Sequence, residues 1–196
     1  AFAELPDLQQ VAQTMDFPLI NVLAQMEFRG IKIDASKLEK MNKSLAQEIT
    51  AVQQNIYDMV GYEFNVASPA QLASALFDKL LLPTAGIKKG KTGYSTNQKE
   101  LDKLRGQHPI IELVERFREL SKLQNTYVAA LPEQTDANGY IHTTFNQDVT
   151  ATGRLSSTNP NLQNIPIRTE LGRQIRDAFV PAPGNVFVNA DYSQFE

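Results

Sequence analysis

Seven apolar residues recur at spacings of three and four: Leu38, Met41, Leu45, Ile49, Val52, Ile56 and Met59. Only a helix gathers such positions onto one face, because 3.6 residues per turn stacks side chains three and four apart. The stripe is narrow and nearly heptad over about 25 residues, which suits a long helix packed along one partner. Plain helix–helix packing accounts for it without a cofactor. Asp34 stands where an N-cap would begin this helix. Any fold of this chain must therefore offer the stripe a second apolar surface.

A second long apolar run follows Pro109: Ile110, Leu113, Val114, Phe117, Leu120, Leu123, Tyr127 and Leu131, closed by Pro132. Its other face carries Arg116, Arg118 and Lys122, with Asn125 and Thr126 close by. Shorter helices complete the first two thirds. Asp16-Phe17-Pro18 reads as a cap and first turn, with Leu19, Ile20, Val22, Leu23 and Met26 on one apolar face and Gly30 as the stop. Ile31-Lys32-Ile33 is short and extended. Ser68-Pro69 opens a helix through Leu72, Leu76, Leu80 and Leu81, ended by Pro83. Asn97 and Glu100 form a capping-box pattern.

After Pro132 the period changes. Asn138-Gly139 is a hairpin turn signal, and Tyr140 to Phe145 alternates as a strand does. Thr169 caps a short helix over Leu171 and Ile175. Pro181-Ala182-Pro183-Gly184 turns into Val186-Phe187-Val188, a β-branched and aromatic run expected to be a buried strand. It leads to Asp191, with Glu196 five residues later. A carboxylate at the end of a buried strand is costly unless paired, and a divalent cation would pair it. Asp148 and Asp177 read as surface residues or caps. The expected fold class is α+β, helical to about residue 131 and mixed beyond.

Composition narrows the options. There is no Cys, so neither a disulfide framework nor a Cys-based zinc site is possible, and His108 and His142 stand far apart. No apolar run approaches the roughly 18 residues of a membrane span, and no signal pattern is visible, so a cytoplasmic protein is expected. The chain starts at Ala1 rather than Met, which reads as a segment of something longer. The net charge of −3 is unevenly spread. Residues 79–131 hold ten Lys/Arg against five Asp/Glu, whereas residues 1–78 hold five against ten. The basic third is where a polyanion would be met.

Two polar segments stand out. Residues 83–97, PTAGIKKGKTGYSTN, lie within a stretch from Lys79 to Lys99 that has five Lys and no acid. Such loops offer backbone N–H, hydroxyl and ammonium donors to phosphates without reading bases, although many Lys-rich loops are simply solvated. Residues 150–166, TATGRLSSTNPNLQNIP, hold three Thr, two Ser, three Asn, one Gln and one Arg with no hydrophobic period. That density suits sugar, phosphate and minor-groove contacts, or else a loop whose polar groups satisfy each other.

The run from Thr150 to Pro166, followed by Asp191-Tyr192-Ser193-Gln194-Phe195-Glu196, resembles the palm of family A DNA polymerases of the bacterial DNA polymerase I type. The first run is similar to the family's T-A-T-G-R-L-S-S…P-N-L-Q-N-I-P stretch and the second to its motif A, D-Y-S-Q-I-E. Arg118-Glu119-Leu120-Ser121-Lys122-Leu123, Lys91-Thr92-Gly93 with Ser95-Thr96, and Ser68-Pro69 with Gln71-Leu72 resemble its thumb. The likeness covers nearly the whole chain, more loosely before residue 65.

The resemblance implies an architecture and a set of roles. Residues 1–131 would be a mostly helical thumb and its base, with a long antiparallel helix pair. Residues 132–196 would be the N-terminal part of an antiparallel-sheet palm, ending at motif A. The activity implied is template-directed nucleotidyl transfer from a dNTP to a primer 3′-OH by two Mg²⁺ ions, a chemistry for which polymerases are a standing example. Asp191 would be the catalytic carboxylate binding both ions, and the Tyr192 carbonyl a further ligand. Glu196, with Gln194 and Phe195, would select the nucleotide sugar. Arg154, Asn161 and Asn164 would touch the duplex near the primer terminus. Lys89, Lys91, Thr92, Ser95 and Thr96 would be thumb-tip backbone contacts, and Arg118, Lys122, Asn125 and Thr126 would lie along the primer backbone. The partners implied are primer-template DNA and dNTP, with no membrane, for a monomer.

Some positions depart from the family. Phe195 stands where Ile is usual, and Gln124 and Asn125 stand where Lys and Ser are common. The family's fingers helix, with its triphosphate-holding Lys and Arg, and its second catalytic Asp do not occur within these 196 residues. The segment alone is therefore expected not to polymerise. A non-catalytic, sequence-independent duplex-binding module is the alternative from another class, and a helical interaction domain is the third.

Overall fold

The computed structural model describes residues 6–91 and 93–192. They fall into two compact units, one formed by the described residues between 41 and 125 and the other by those up to 40 and from 126 onward.

Asp34 does start the long helix. Its carboxylate accepts hydrogen bonds from the Ser36 hydroxyl at 2.7 Å and the Lys37 N–H at 3.3 Å. The helix then runs over Ala35–Val60. The seam is buried at Leu38, Leu45, Val52 and Ile56, but at its end Val60 turns inward while Met59 is 38% exposed. A straight helix drifts about 20° per heptad against a strict seven-residue repeat, so the inward position moves by one.

In the 41–125 unit this helix packs antiparallel to a second one, Ile110–Leu123. The pairing is read from partners whose numbers run in opposite directions. The Gln124 amide donates to Asn42 at 2.8 Å, Arg116 donates to Glu48 at 2.6 Å, and Asn55 and Met59 share a concavity with Pro109 and Leu113. Leu45, Ile56, Ile110, Val114 and Leu120 are buried at the core. Each such side chain contributes about 1.5–3 kcal/mol of transfer free energy. The Ser68 hydroxyl caps the helix Pro69–Ala73, which continues as a π-helical segment Ser74–Lys79. Leu81, expected inward, is 77% exposed with φ of +53°, and Leu82 takes the buried place.

The other unit opens with helix, not with a cap at Asp16. Pro6–Val11, a π-helical turn Ala12–Asp16 and Phe17–Arg29 follow without a break, and Asp16 has helical φ and ψ. Pro18 lacks an N–H, and the widened turn just before it is where the ladder adjusts to that loss. Ala12 and Leu23 are buried on this helix, while Ile20, Val22 and Met26 are about half exposed, so the expected apolar face is narrower than its composition. Gly30 ends the helix with φ of +63°, and a Cβ there would sit 2.6 Å from the Ile141 carbonyl oxygen. That close approach excludes any other residue.

The described residues form three two-stranded antiparallel sheets. Ile31–Lys32 pairs with Tyr140–Ile141, Lys89–Gly90 with Gly93–Tyr94, and Thr144–Asn146 with Ser156–Thr158. The expected single strand over Tyr140–Phe145 is thus two, broken at His142 and Thr143, because each half has a different partner. Asn138-Gly139 makes its turn, with Asp136 accepting from the Asn138 and Tyr140 N–H groups. The second long helix also outlasts its expected stop, since a π-helical turn Gln124–Val128 and a helix Ala130–Glu133 carry it through Pro132. Thr169 caps Glu170–Arg176, donating no proton but accepting from the Gly172 N–H.

The largest correction concerns Val186-Phe187-Val188. It is not a strand in the described residues, and Val186 and Val188 are 80% and 84% exposed. A strand is stabilised by ladder hydrogen bonds and by packing on both faces, and none of the described strands pairs with this run.

Candidate nucleic-acid interface

In the 41–125 unit the basic loop is a hairpin. Lys89 pairs with Tyr94 and Gly90 with Gly93. The Lys89 ammonium lies 5.1 Å from the Tyr94 ring centroid, and Phe77 stacks tilted on the same ring at 5.1 Å. Lys88, Lys89 and Lys91 are exposed, and Thr92 lies outside the described residues. Beside the hairpin is a concavity lined by Pro69, Lys88, Tyr94, Ser95, Thr96, Asn97 and Arg118.

Two of the expected contacts turn out to hold the hairpin itself. Thr96 is only 3% exposed. Its carbonyl and hydroxyl oxygens accept hydrogen bonds from the two ends of the Arg118 guanidinium. Arg118 is half-buried, and that burial lowers its pKa. Ser95 is partly buried, its hydroxyl accepting from the Asn97 N–H at 3.3 Å. Lys122 is exposed, as are Asn125 and Thr126, which sit in the π-helical turn Gln124–Val128. Gln124 is turned to Asn42. Arg116 faces Glu48 and Glu119, and although burial opposes its charge these bonds raise its pKa.

The capping-box pattern accounts for only half of Glu100's position. Asn97 does cap Gln98–Asp102, accepting from the Glu100 N–H at 3.0 Å, but the Glu100 carboxylate does not return the bond. It accepts instead from the Lys103 ammonium at 2.6 Å and the Lys88 N–H at 3.1 Å. These donors, Lys103 first, hold its pKa below the ordinary value. The Glu100/Lys103 spacing of three on a helix was the available signal.

In the other unit, residues 150–166 satisfy much of their own polarity. Ser157 is 1% exposed. Its N–H donates to Gln163 Oε1 at 3.2 Å, its hydroxyl donates to Asn161 Oδ1 at 3.4 Å, and it accepts from the Leu162 N–H at 3.1 Å. The Thr150 hydroxyl donates to the Arg154 carbonyl. Thr143 donates to the carbonyls of Thr158 and Pro160, and the Asn159–Pro160 peptide is cis. Arg154, Asn161 and Asn164 are exposed. Asn161 thus serves both sides, its carbonyl inside and its remaining surface outside. Thr126, Gln134, Asn159, Pro160 and Asn161 line one shared concavity.

The C-terminal part of the same unit carries Asp191 and Tyr192, both exposed. Asp148 and Asp177 are exposed too, the latter capping Glu170–Arg176. Among the described residues no three His, Cys, Asp or Glu side chains are grouped to hold a metal ion. Gln194, Phe195 and Glu196 lie outside the described residues. Among the described residues no helix is long and apolar enough to cross a membrane.

Comparison with known proteins gives a consistent result. Residues 35–196 match the profile of DNA polymerase family A. The chain is 48% identical over 194 residues to DNA polymerase I of Synechocystis, covering 98% of this chain and 20% of the relative. It is 50% identical over 184 residues to DNA polymerase I of Geobacillus stearothermophilus, covering 93% and 21% respectively. The chain thus spans about a fifth of the length of these curated relatives. A solved structure of the POL domain of Pol1 from M. smegmatis, in complex with DNA primer-template and dNTP, matches with a TM-score of 0.85 at 42% identity. That match covers 94% of this chain and 33% of the other.

Proposed function

This chain belongs to DNA polymerase family A, and on that premise we propose that it is the thumb and first part of the palm of a template-directed DNA polymerase. The observation that carries the reading is the family match from residue 35 to residue 196, which takes in the basic hairpin, the 150–166 segment and Asp191. The whole protein transfers a nucleotide from a dNTP to a primer 3′-OH, works as a monomer in the cytoplasm, and takes primer-template DNA as its partner. Residues 1–131 form the thumb and its base, and residues 132–196 begin the palm.

Within it, Lys89, Lys91 and Lys122 neutralise backbone phosphates without reading sequence, as exposed ammonium groups do. Asn125 and Thr126 add neutral hydrogen bonds. Arg154, Asn161 and Asn164 face the duplex near the primer terminus from a platform that Ser157 and Gln163 hold rigid. Asp191 is an exposed hard-oxygen donor, and Mg²⁺ asks for one or two protein carboxylates while keeping several waters and substrate phosphates. It fits as one ligand of a two-ion site, with the Tyr192 carbonyl beside it. When bound, the two ions activate the attacking oxygen and stabilise the leaving one. The second carboxylate and the triphosphate clamp are not among these 196 residues. Glu196, preceded by Gln194 and Phe195, selects the deoxyribose, and Phe195 in place of the usual Ile alters that selection.

The test is Asp191→Asn in a full-length polymerase carrying this segment. Primer extension with Mg²⁺ falls at least about 100-fold, as for loss of a first metal ligand, while primer-template affinity stays within about twofold. Retained extension would contradict the assignment of Asp191.

A further inference from the structure

The basic hairpin is gripped at both of its strands by side chains from outside it. On the Lys88 side, the nearly buried Glu100 carboxylate accepts from the Lys88 N–H at 3.1 Å and from the Lys103 ammonium at 2.6 Å. Lys103 also donates to the Gly86 carbonyl at 2.8 Å, so one acid and one base pin the chain on entry to the hairpin. On the Thr96 side, Arg118 donates to both the carbonyl and the hydroxyl of Thr96. Between the two clamps, the Ser95 N–H donates to the Lys88 carbonyl at 2.8 Å and closes the hairpin base. The hairpin strands are only two residues each, too short to order themselves in water.

We propose that Glu100 and Arg118 are positioning residues that hold the 88–96 hairpin in one shape, so that Lys89 and Lys91 meet a nucleic acid backbone already placed. This rests on the reading of the hairpin as a backbone contact. A loop held in its bound shape loses less freedom on binding, and affinity rises accordingly. Glu100 makes the idea unusual in sign. It is a carboxylate beside a lysine-rich surface, so simple charge counting has it weaken polyanion binding, whereas positioning has it strengthen binding.

That opposition supplies the experiment. The affinity of the 196-residue chain for a fluorescent primer-template duplex is measured by anisotropy across a salt series, for wild type, Glu100→Gln, and Lys89→Ala/Lys91→Ala with and without Glu100→Gln. The expected result is that Glu100→Gln weakens binding about fivefold to tenfold. Removing the two lysines costs less in that background than in wild type, because a loose hairpin no longer places them. Equal or tighter binding by Glu100→Gln, or fully additive effects, overturns the positioning role. If the lysine pair is silent in wild type, the backbone-contact reading fails instead, and the positioning proposal falls with it. Should Glu100→Gln disturb folding by circular dichroism, Arg118→Lys carries the same test on the other strand. It keeps the positive charge and loses the two-ended grip, so weakened binding with an unchanged salt slope supports positioning, and unchanged affinity overturns it.

Discussion

The 88–96 hairpin and the 186–192 segment are both short and both proposed to meet substrate, yet the structure treats them oppositely. The hairpin is fixed by Glu100, Lys103 and Arg118, all within about thirty residues of it in sequence. The 186–192 segment is exposed and pairs with none of the described strands. An element becomes rigid where its own neighbourhood satisfies its backbone, and where it does not, apolar side chains such as Val186 and Val188 stay in solvent. The proposed backbone-contact hairpin is thus held by its own neighbourhood, whereas the segment that carries Asp191 is held by none of the described strands.

The contrast can be sharpened by substitution, beginning with chemistry. Asp191→Asn should abolish most activity in the full-length setting, at least about 100-fold, yet leave thermal unfolding of this chain unchanged. Leu120→Ala should do the reverse. Leu120 is fully buried on the helix Ile110–Leu123, and its truncation should cost about 2–5 kcal/mol in a denaturant titration. Val188→Ala, at 84% exposure, should cost under about 0.5 kcal/mol in the same assay. A large effect there would mean that the segment is packed after all.

Ser157→Ala is the intermediate case. It leaves the Leu162 N–H without its acceptor in a partly buried place, at a cost of about 1 kcal/mol. It should also weaken duplex binding, because Asn161 loses one of the bonds that orient it.

The smallest effect expected is a pH dependence. His142 lies between the Glu27 carbonyl at 2.7 Å and the Asp136 carboxylate at 3.4 Å, and these acceptors, Glu27 first, raise its pKa. A raised folded-state pKa gives stability that is full below the unfolded value of about 6.5 and is lost as pH climbs through the folded value. Stability should therefore fall slightly between about pH 6 and pH 8, and His142→Gln should flatten that fall in a chemical-denaturation series. Asp136, lowered mainly by the Tyr140 N–H, acts at the other end: its contribution is present above about 3.9 and is lost as pH drops through its folded value.

How much of this was legible follows the same division. The long helix, its Asp34 cap, the Asn138-Gly139 turn and the Thr169 cap are local chemistry and read correctly. The helix pair was legible because two seams each need a partner. The through-running helix at Asp16 was not, because a π-helical turn leaves no residue signature beside Pro18. The clamps were half legible: Asn97 and Glu100 announced a cap, but the reach of the Glu100 carboxylate to Lys88 depends on tertiary placement. Arg118 looked like a surface cation, since a helix face alone does not reveal that Thr96 is packed against it. In residues 150–166 the composition allowed either contact or self-satisfaction, and the fold uses Ser157 and Gln163 for the second while leaving Arg154 and Asn164 exposed. Val186–Val188 misled because β-propensity reports fitness for a sheet, not the presence of one.

Within these 196 residues duplex grip and chemistry are expected to be separable. The direct measurement is a primer-extension assay on this chain alone, with Mg²⁺, all four dNTPs and a labelled primer-template duplex at a concentration where binding is seen in the same tubes. The account predicts bound duplex and a primer that gains no nucleotide. Mg²⁺-dependent extension that disappears with Asp191→Asn would contradict it.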